Sequence, residues 1–252
     1  MVLYLAWPGI SGPDNDKQGG PASVASKTAG SNDSSAPALF DKSKYSTNDT
    51  ASLWVVVNKG RVLPGSYRPP DLVVPKVALR YSSGSTEMLV RKETASAMEA
   101  MFSDAAGAGV KLMLASGFRP YSMQSSIYNR HVRDYGRAQA DRVSARPGHS
   151  EHQTGWAADL EPASRVCEIA KCFGDLAEGQ WLAANAYRFG FIIRYPSGKE
   201  QLTGYDYEPW HVRYVGPELA GELLRTGQTL EQFFGLPDFA TYPAEIYQLG
   251  SG

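Results

Sequence analysis

The sequence predicts an α+β fold, an antiparallel sheet with flanking helices, and three observations point there. Short runs of strand character at residues 111–115, 191–194 and 207–214 are interspersed with helical periodicity, clearest at residues 93–106. Their order has no regular strand–helix–strand beat, and no internal repeat is visible. At 252 residues, with 42% hydrophobic and 11% aromatic content, the chain can bury one substantial core.

Each element has a local reason. Residues 53–57 and 61–63 read as a β-hairpin whose short loop, 58–60, uses Gly60 for a positive φ. The proline-rich stretch 64–75 is expected to be irregular and on the surface. In residues 93–106, Met98, Met101, Phe102 and Ala105 recur at i, i+3, i+4 and i+7, the spacing of one buried helical face. The apolar run 111–115 suits an interior strand that delivers residues 116–120 to its end, with a helix starting after Pro120. Residues 181–189 form a helix stopped by Gly190, and the strand 191–194 follows. In residues 207–214, alternation puts Trp210, Val212 and Tyr214 on one face and His211 and Arg213 on the other. Pro217 opens a helix that ends before Gly227, and Thr229 to Gln232 has capping-box spacing for one more.

The chain divides into an N-terminal apolar stub with a flexible linker, residues 1–37, and a domain over residues 38–252. The first ten residues are too few to span a bilayer, and no Lys or Arg precedes them. They are either the remnant of an export signal or anchor, or an irregular start. Residues 11–37 are rich in Gly, Ser, Ala, Pro, Asn and Asp, with little to repay the entropy of ordering. Lys and Arg total 25 against 26 Asp and Glu, so no global field draws the chain to nucleic acid or an anionic membrane. Nothing in the sequence points to a stable protein partner. The two cysteines, Cys167 and Cys172, are spaced unlike a zinc ribbon or a thioredoxin site. They read as a local disulfide or, alternatively, as two buried thiols.

Several hydrolase nucleophiles are missing. No G-x-S-x-G elbow, S-x-x-K, H-E-x-x-H or motif-bound cysteine occurs, so an enzyme built on this chain would use water. Three of the four histidines lie in two polar motifs, Pro147-Gly-His-Ser-Glu-His-Gln-Thr-Gly-Trp-Ala-Ala-Asp159 and Glu208-Pro-Trp-His211. Catalytic zinc takes three protein ligands, imidazoles and a carboxylate, and leaves a fourth position open, and His152, Asp159 and His211 supply that set. Glu208 is a candidate base, provided Pro209 distorts the strand so that a residue three before His211 reaches the same side. His149 could replace His152 as ligand or orient it; Glu151 reads as structural or at the rim, and His131 as solvated.

These two motifs, together with Ser116-Gly-Phe-Arg-Pro-Tyr-Ser-Met-Gln124, closely resemble the zinc D-alanyl-D-alanine and L,D-carboxypeptidases. That family is related to the vancomycin-resistance D,D-peptidases and, more distantly, to the hedgehog domain, and the resemblance covers most of the chain after about residue 38. It implies a hedgehog-like peptidase fold, one Zn²⁺ on His152, Asp159 and His211, and Glu208 as general base and acid. It also implies Arg119 at the scissile carbonyl, Gln124 and Ser150 near the terminal carboxylate, Tyr195 as a further substrate contact, and a Cys167–Cys172 disulfide in a surface insertion. The implied partner is the peptidoglycan stem peptide, and the implied location is the exported, cell-wall side of the membrane. The expected reaction is release of a terminal D-alanine, from either a pentapeptide (D,D) or a tetrapeptide (L,D). The alternatives are an endopeptidase of the same family and a zinc-containing module without activity.

Overall fold

The computed structural model describes residues 40–250. The apolar stub and the linker expected over residues 1–37 lie outside the described residues.

Among the described residues, the site rests on a four-stranded antiparallel sheet. Its strands are β1 (Leu112–Ser116), β2 (Ala157–Pro162), β3 (Phe191–Tyr195) and β4 (Glu208–Tyr214), in spatial order β1-β2-β4-β3. Helix α1 (Lys92–Gly107) buries Met98, Met101 and Ala105, as the periodicity predicts. Phe102, the fourth residue of that stripe, is only partly buried and packs at the edge of the core. Helix α2 (Tyr121–Tyr135) starts directly after Pro120. Residues 181–189 are not one α-helix. Helix α3 (Ala177–Asn185) begins four residues earlier and tightens into a 3₁₀ turn, Ala186–Phe189, before Gly190 takes φ 84° and turns the chain into β3. Helix α4 (Pro217–Thr226) ends at Gly227, and helix α5 (Leu230–Phe234) carries the capping box between Thr229 and Gln232.

The expected hairpin over residues 53–63 is largely absent. Asn58 and Arg61 close the turn with two backbone hydrogen bonds of 3.2 Å, but residues 53–57 pair with no strand. Their carbonyls are taken by buried arginines instead. Arg213 donates to Leu53 O and Val55 O at 2.9 Å, and Arg61 donates to Val56 O at 2.9 Å. An apolar run satisfies strand and buried coil equally well, and Arg213, which takes two of its carbonyls, is remote in sequence. Residues 61–62 pair in parallel with Tyr247–Gln248, tying the two ends of the domain together.

Two irregularities in the sheet shape the site. Between β1 and β2, Leu114 faces Leu160 and Ser116 faces Asp159, so one extra residue bulges from β1. Between β3 and β4, Ile193 faces Val212 while Tyr195 faces Glu208, so four steps along β4 match two along β3. The excess falls at Pro209 and Trp210, where proline removes a ladder donor.

Cys167 and Cys172 form a disulfide in the connection after β2. Closing so short a loop removes little chain entropy. Replacing both by serine is expected to cost about 2 kcal/mol or less of unfolding free energy. Urea unfolding of Cys167→Ser/Cys172→Ser against the oxidised parent measures it, with the native circular dichroism spectrum retained.

Candidate active site

Turn geometry aims His152, and strand pairing aims Asp159 and His211. His152 stands on a 3₁₀ turn, Glu151–Thr154, closed by Gly155 at φ 70°. Asp159 on β2 is directly opposite His211 on β4, so both side chains project from the same face of the sheet. Arg119 follows β1, and Gln124 lies in the first turn of α2.

The two imidazoles converge on one carboxylate. His152 Nε2 is 3.2 Å from Asp159 Oδ2, and His211 Nδ1 is 3.1 Å from Asp159 Oδ1. One ligand atom from each of the three residues lies within 4.8 Å of the others, and all three residues are buried. Glu208 Oε2 is 3.8 Å from His211 Nδ1, so the bulge at Pro209 brings the glutamate to the histidine's side as expected. His152 Nδ1 sits 2.7 Å from Gly117 O, which fixes the proton there and leaves Nε2 as a free lone pair facing Asp159. The four side chains line a cavity of about 210 Å³. An apolar cavity of about 250 Å³ beside β3 and α4 is lined by no carboxylate or histidine, so the chemistry belongs to the smaller one.

The charges and burial around the pocket favour a cation. Burial opposes charge on His211, yet the carboxylates of Asp159, Glu151 and Glu208 around it push its pKa up to about 9. Burial also opposes charge on Asp159, but His152 and His211 hold its carboxyl well below the usual range. Burial and the neighbouring Arg119 lower the pKa of His152. Burial pushes Glu208 up to about 8, with Asp159 adding to the effect and His211 and Arg119 opposing it. Two imidazoles and a carboxylate, buried and preorganised around one point, fit a divalent zinc-like ion.

The wall of the cavity holds the remaining candidates. Arg119 donates to Gln124 Oε1 at 3.0 Å and to Ser116 Oγ at 2.9 Å, and it lies 3.5 Å from Asp159 Oδ2. The Gln124 amide nitrogen donates to Ser144 Oγ and Ala145 O, so both its hydrogens are engaged and it reaches the cavity through Arg119. Ser150 and Tyr195 both line the cavity, and the Tyr195 ring centroid is 4.9 Å from that of His211.

Comparison with known proteins shows the family. Residues 87–217 match the family model VanY, D-alanyl-D-alanine carboxypeptidase. The chain belongs to the VanY family. The YodJ protein of Bacillus subtilis (strain 168) is 43% identical over 183 residues, 73% of this chain and 67% of that protein. A D-alanyl-D-alanine carboxypeptidase of Enterococcus faecalis is 32% identical over 71% of this chain and 64% of its own length. The chain thus spans about two thirds of these curated relatives. Among solved structures, the LdcB LD-carboxypeptidase superposes with a TM-score of 0.71 at 41% identity, covering 75% of this chain and 88% of that one. A VanY D,D-pentapeptidase mutant in complex with Zn(II) gives 0.59 at 31% identity, covering 73% and 99%.

Within this VanY-family site, several residues depart from expectation. His149 is not among the converging ligands: its Nδ1 is 2.8 Å from Asn58 O and its ring meets Tyr242 edge-on. His131 is half-buried and lines the cavity rather than being solvated, and burial together with Arg130 lowers its pKa. Glu151 is at no rim; it is fully buried, and although burial opposes its charge, Arg194 and Arg213 hold its carboxyl well below the usual range. Trp210 lines the cavity beside His211 although strict alternation puts them on opposite faces, because the bulge suspends alternation there. Tyr205 and Ile169 also line it, and only the motif around Trp210 offered a signal in the sequence.

Gly117 links sheet and site. A Cβ there would overlap Leu89 O and stand 2.9 Å from Val90 Cγ1, and its carbonyl is the one that fixes His152. Gly117→Ala is expected to cost about 1–3 kcal/mol through forced displacement of the segment. Denaturant midpoints with an unchanged m-value measure this; an unchanged midpoint would show that the segment yields freely.

Proposed function

We propose that this chain is a zinc-dependent carboxypeptidase that releases the terminal D-alanine from peptidoglycan stem peptides. The observation that carries this reading is the convergence of His152 Nε2 and His211 Nδ1 on the Asp159 carboxylate, with Glu208 beside them on one cavity wall. His152, Asp159 and His211 would hold zinc, whose Lewis acidity polarises the scissile carbonyl and makes water a competent nucleophile near neutral pH.

The chain's own residues do the rest. Glu208 accepts the proton of the attacking water and passes it to the departing D-alanine nitrogen as the C–N bond breaks. Burial raises the pKa of Glu208 above that of an ordinary carboxylate, and a divalent cation on the three ligands would draw it back toward the ionised form that accepts a proton. Arg119, its guanidinium aimed by Ser116 and Gln124, stabilises the negative charge that develops on the carbonyl oxygen. Ser150 and Tyr195 line the space for the terminal residue and its carboxylate, and Gln124 acts by holding Arg119 in place.

The 41% identity to the LdcB LD-carboxypeptidase, against 31% to the VanY pentapeptidase, supports an L,D-specific enzyme that trims tetrapeptides. TM-scores do not rank the two activities, since the L,D-carboxypeptidase DacB scores 0.58 and the VanY pentapeptidase 0.59. The Cys167–Cys172 bond supports action on the exported side of the membrane, where disulfides persist.

Incubation with purified muropeptides, read by mass spectrometry, is expected to convert tetrapeptides to tripeptides with loss of one alanine, and chelation of zinc stops it. Faster conversion of pentapeptides would reverse the L,D assignment. Glu208→Ala is expected to lower kcat by about 10²–10⁴-fold, while zinc content and thermal unfolding stay near those of the parent. Turnover retained in that variant would remove Glu208 from the chemistry.

A further inference from the structure

In the wall of the cavity, a buried carboxylate faces His211 on its Nε2 side, while Asp159 faces its Nδ1. Glu151 is 1% exposed, and its two oxygens have unequal surroundings. Oε1 accepts from Arg194 Nε at 2.8 Å and from Arg213 Nη1 at 3.0 Å. Oε2 has no hydrogen-bond partner among the described residues, and neither has His211 Nε2. These two buried atoms lie 3.7 Å apart. Buried polar groups left without partners are rare and costly, and here a donor-capable nitrogen and an acceptor-only oxygen are adjacent. A shift of under about 1 Å makes one charge-assisted hydrogen bond of ordinary length and satisfies both.

The surroundings fix which atom moves least. Arg194 is held in turn by Glu231, whose Oε1 also accepts from Asn58 Nδ2 at 3.1 Å, and Arg213 donates to the carbonyls of Leu53, Val55 and Tyr214. Glu151 is therefore braced from two directions by guanidinium groups that are themselves anchored. His211 Nδ1 points the other way, to Asp159 and Glu208. A neutral imidazole whose Nδ1 offers a lone pair carries its proton on Nε2, the atom that faces Glu151.

We propose that Glu151 is a positioning residue for the metal centre: its Oε2 accepts the Nε2–H of His211, sets the tautomer that frees Nδ1, and makes this imidazole the more basic ligand. His152 receives the same service from a neutral acceptor, the Gly117 carbonyl, so the two histidines are tuned unequally. Glu151 touches neither substrate nor reacting atoms and acts through His211 alone. The inference rests on the reading that His211 holds zinc through Nδ1.

Zinc affinity by chelator competition separates the two. His211→Ala is expected to abolish tight binding; if it does not, the ligand assignment fails and this inference with it. If it does, Glu151→Gln is expected to weaken zinc affinity about 10–100-fold, and a change below about twofold overturns the role of Glu151 alone. Glu231→Gln removes a charge from the same buried chain one link further away. It is expected to lower stability yet keep zinc affinity within about twofold, and an equal loss there would mean that Glu151 acts only through the fold. Should Glu151→Gln fail to fold, nitrogen-15 NMR of the zinc-loaded parent decides. The expected signal, lost in His211→Ala, is a protonated, slowly exchanging Nε2; an unprotonated or rapidly exchanging Nε2 overturns the proposal.

Discussion

The site depends on the register between β2 and β4. Asp159 and His211 are paired across two antiparallel strands, and the period of two in a strand then determines which neighbours share their face. A slip of one residue would turn the aspartate toward the opposite side of the sheet and leave two imidazoles without a common carboxylate. The register is defended by the adjacent pair: Val212 and Ala158, one step along, are fully buried in the apolar core, so a slip would put polar side chains into that core. Two bulges complete the arrangement at the cavity end of the sheet. The one in β1 re-aims the segment that carries Arg119, and the one around Pro209 folds Glu208 back beside His211.

Behind the register stands an unusual density of buried charge. Glu151, Arg194, Arg213 and Glu231 are each about 2% exposed or less. Buried ion pairs are weak evidence for stability, since desolvation offsets most of their attraction and apolar replacements often do as well. Their value here is positional. Arg213 supplies donors to the carbonyls of residues 53–55, which have no strand partner, and so ties the N-terminal wrap of the domain to the strand that carries His211. The same guanidinium ends on Glu151, next to His152 in sequence and next to His211 in space. Packing of the outer layer and orientation of the centre thus share one set of hydrogen bonds.

This explains what the sequence could and could not reveal. The histidine and aspartate motifs were legible because so few histidines occur and the chemistry restricts what can surround a metal. Helix α1, strand β1 and the ends of α4 and α5 were legible from periodicity, proline, glycine and the capping box. The false hairpin over residues 53–63 arose because an apolar run does not declare where its backbone groups find partners. Two of its carbonyls accept hydrogen bonds from the one guanidinium of Arg213, 160 and 158 residues away. For Glu151 the structure favours the structural alternative over the rim, and the sequence left both open because its guanidinium partners lie more than forty residues downstream. Trp210 and His131 were missed because a bulge and a helix rotation, both three-dimensional facts, decide which way they face.

The electrostatics of the cavity follow from the same economy of groups. Three carboxylates surround His211, and they draw a cation of either kind, a proton or a divalent ion, toward the same place. A proton on Nδ1 and a metal on Nδ1 exclude one another, so binding of the ion is necessarily release of the proton. Glu208 differs from its neighbour Asp159 although both are buried carboxylates within reach of His211. Asp159 touches two imidazoles and lies 3.5 Å from Arg119, and it stays ionised; at Glu208 burial, with Asp159 adding to it, outweighs His211 at 3.8 Å and Arg119, and its pKa rises. Two carboxylates of one sheet face are thereby driven apart, one toward permanent charge and the other toward exchange of protons. That separation is what distinguishes a ligand from a base when both must work in a pocket of this size.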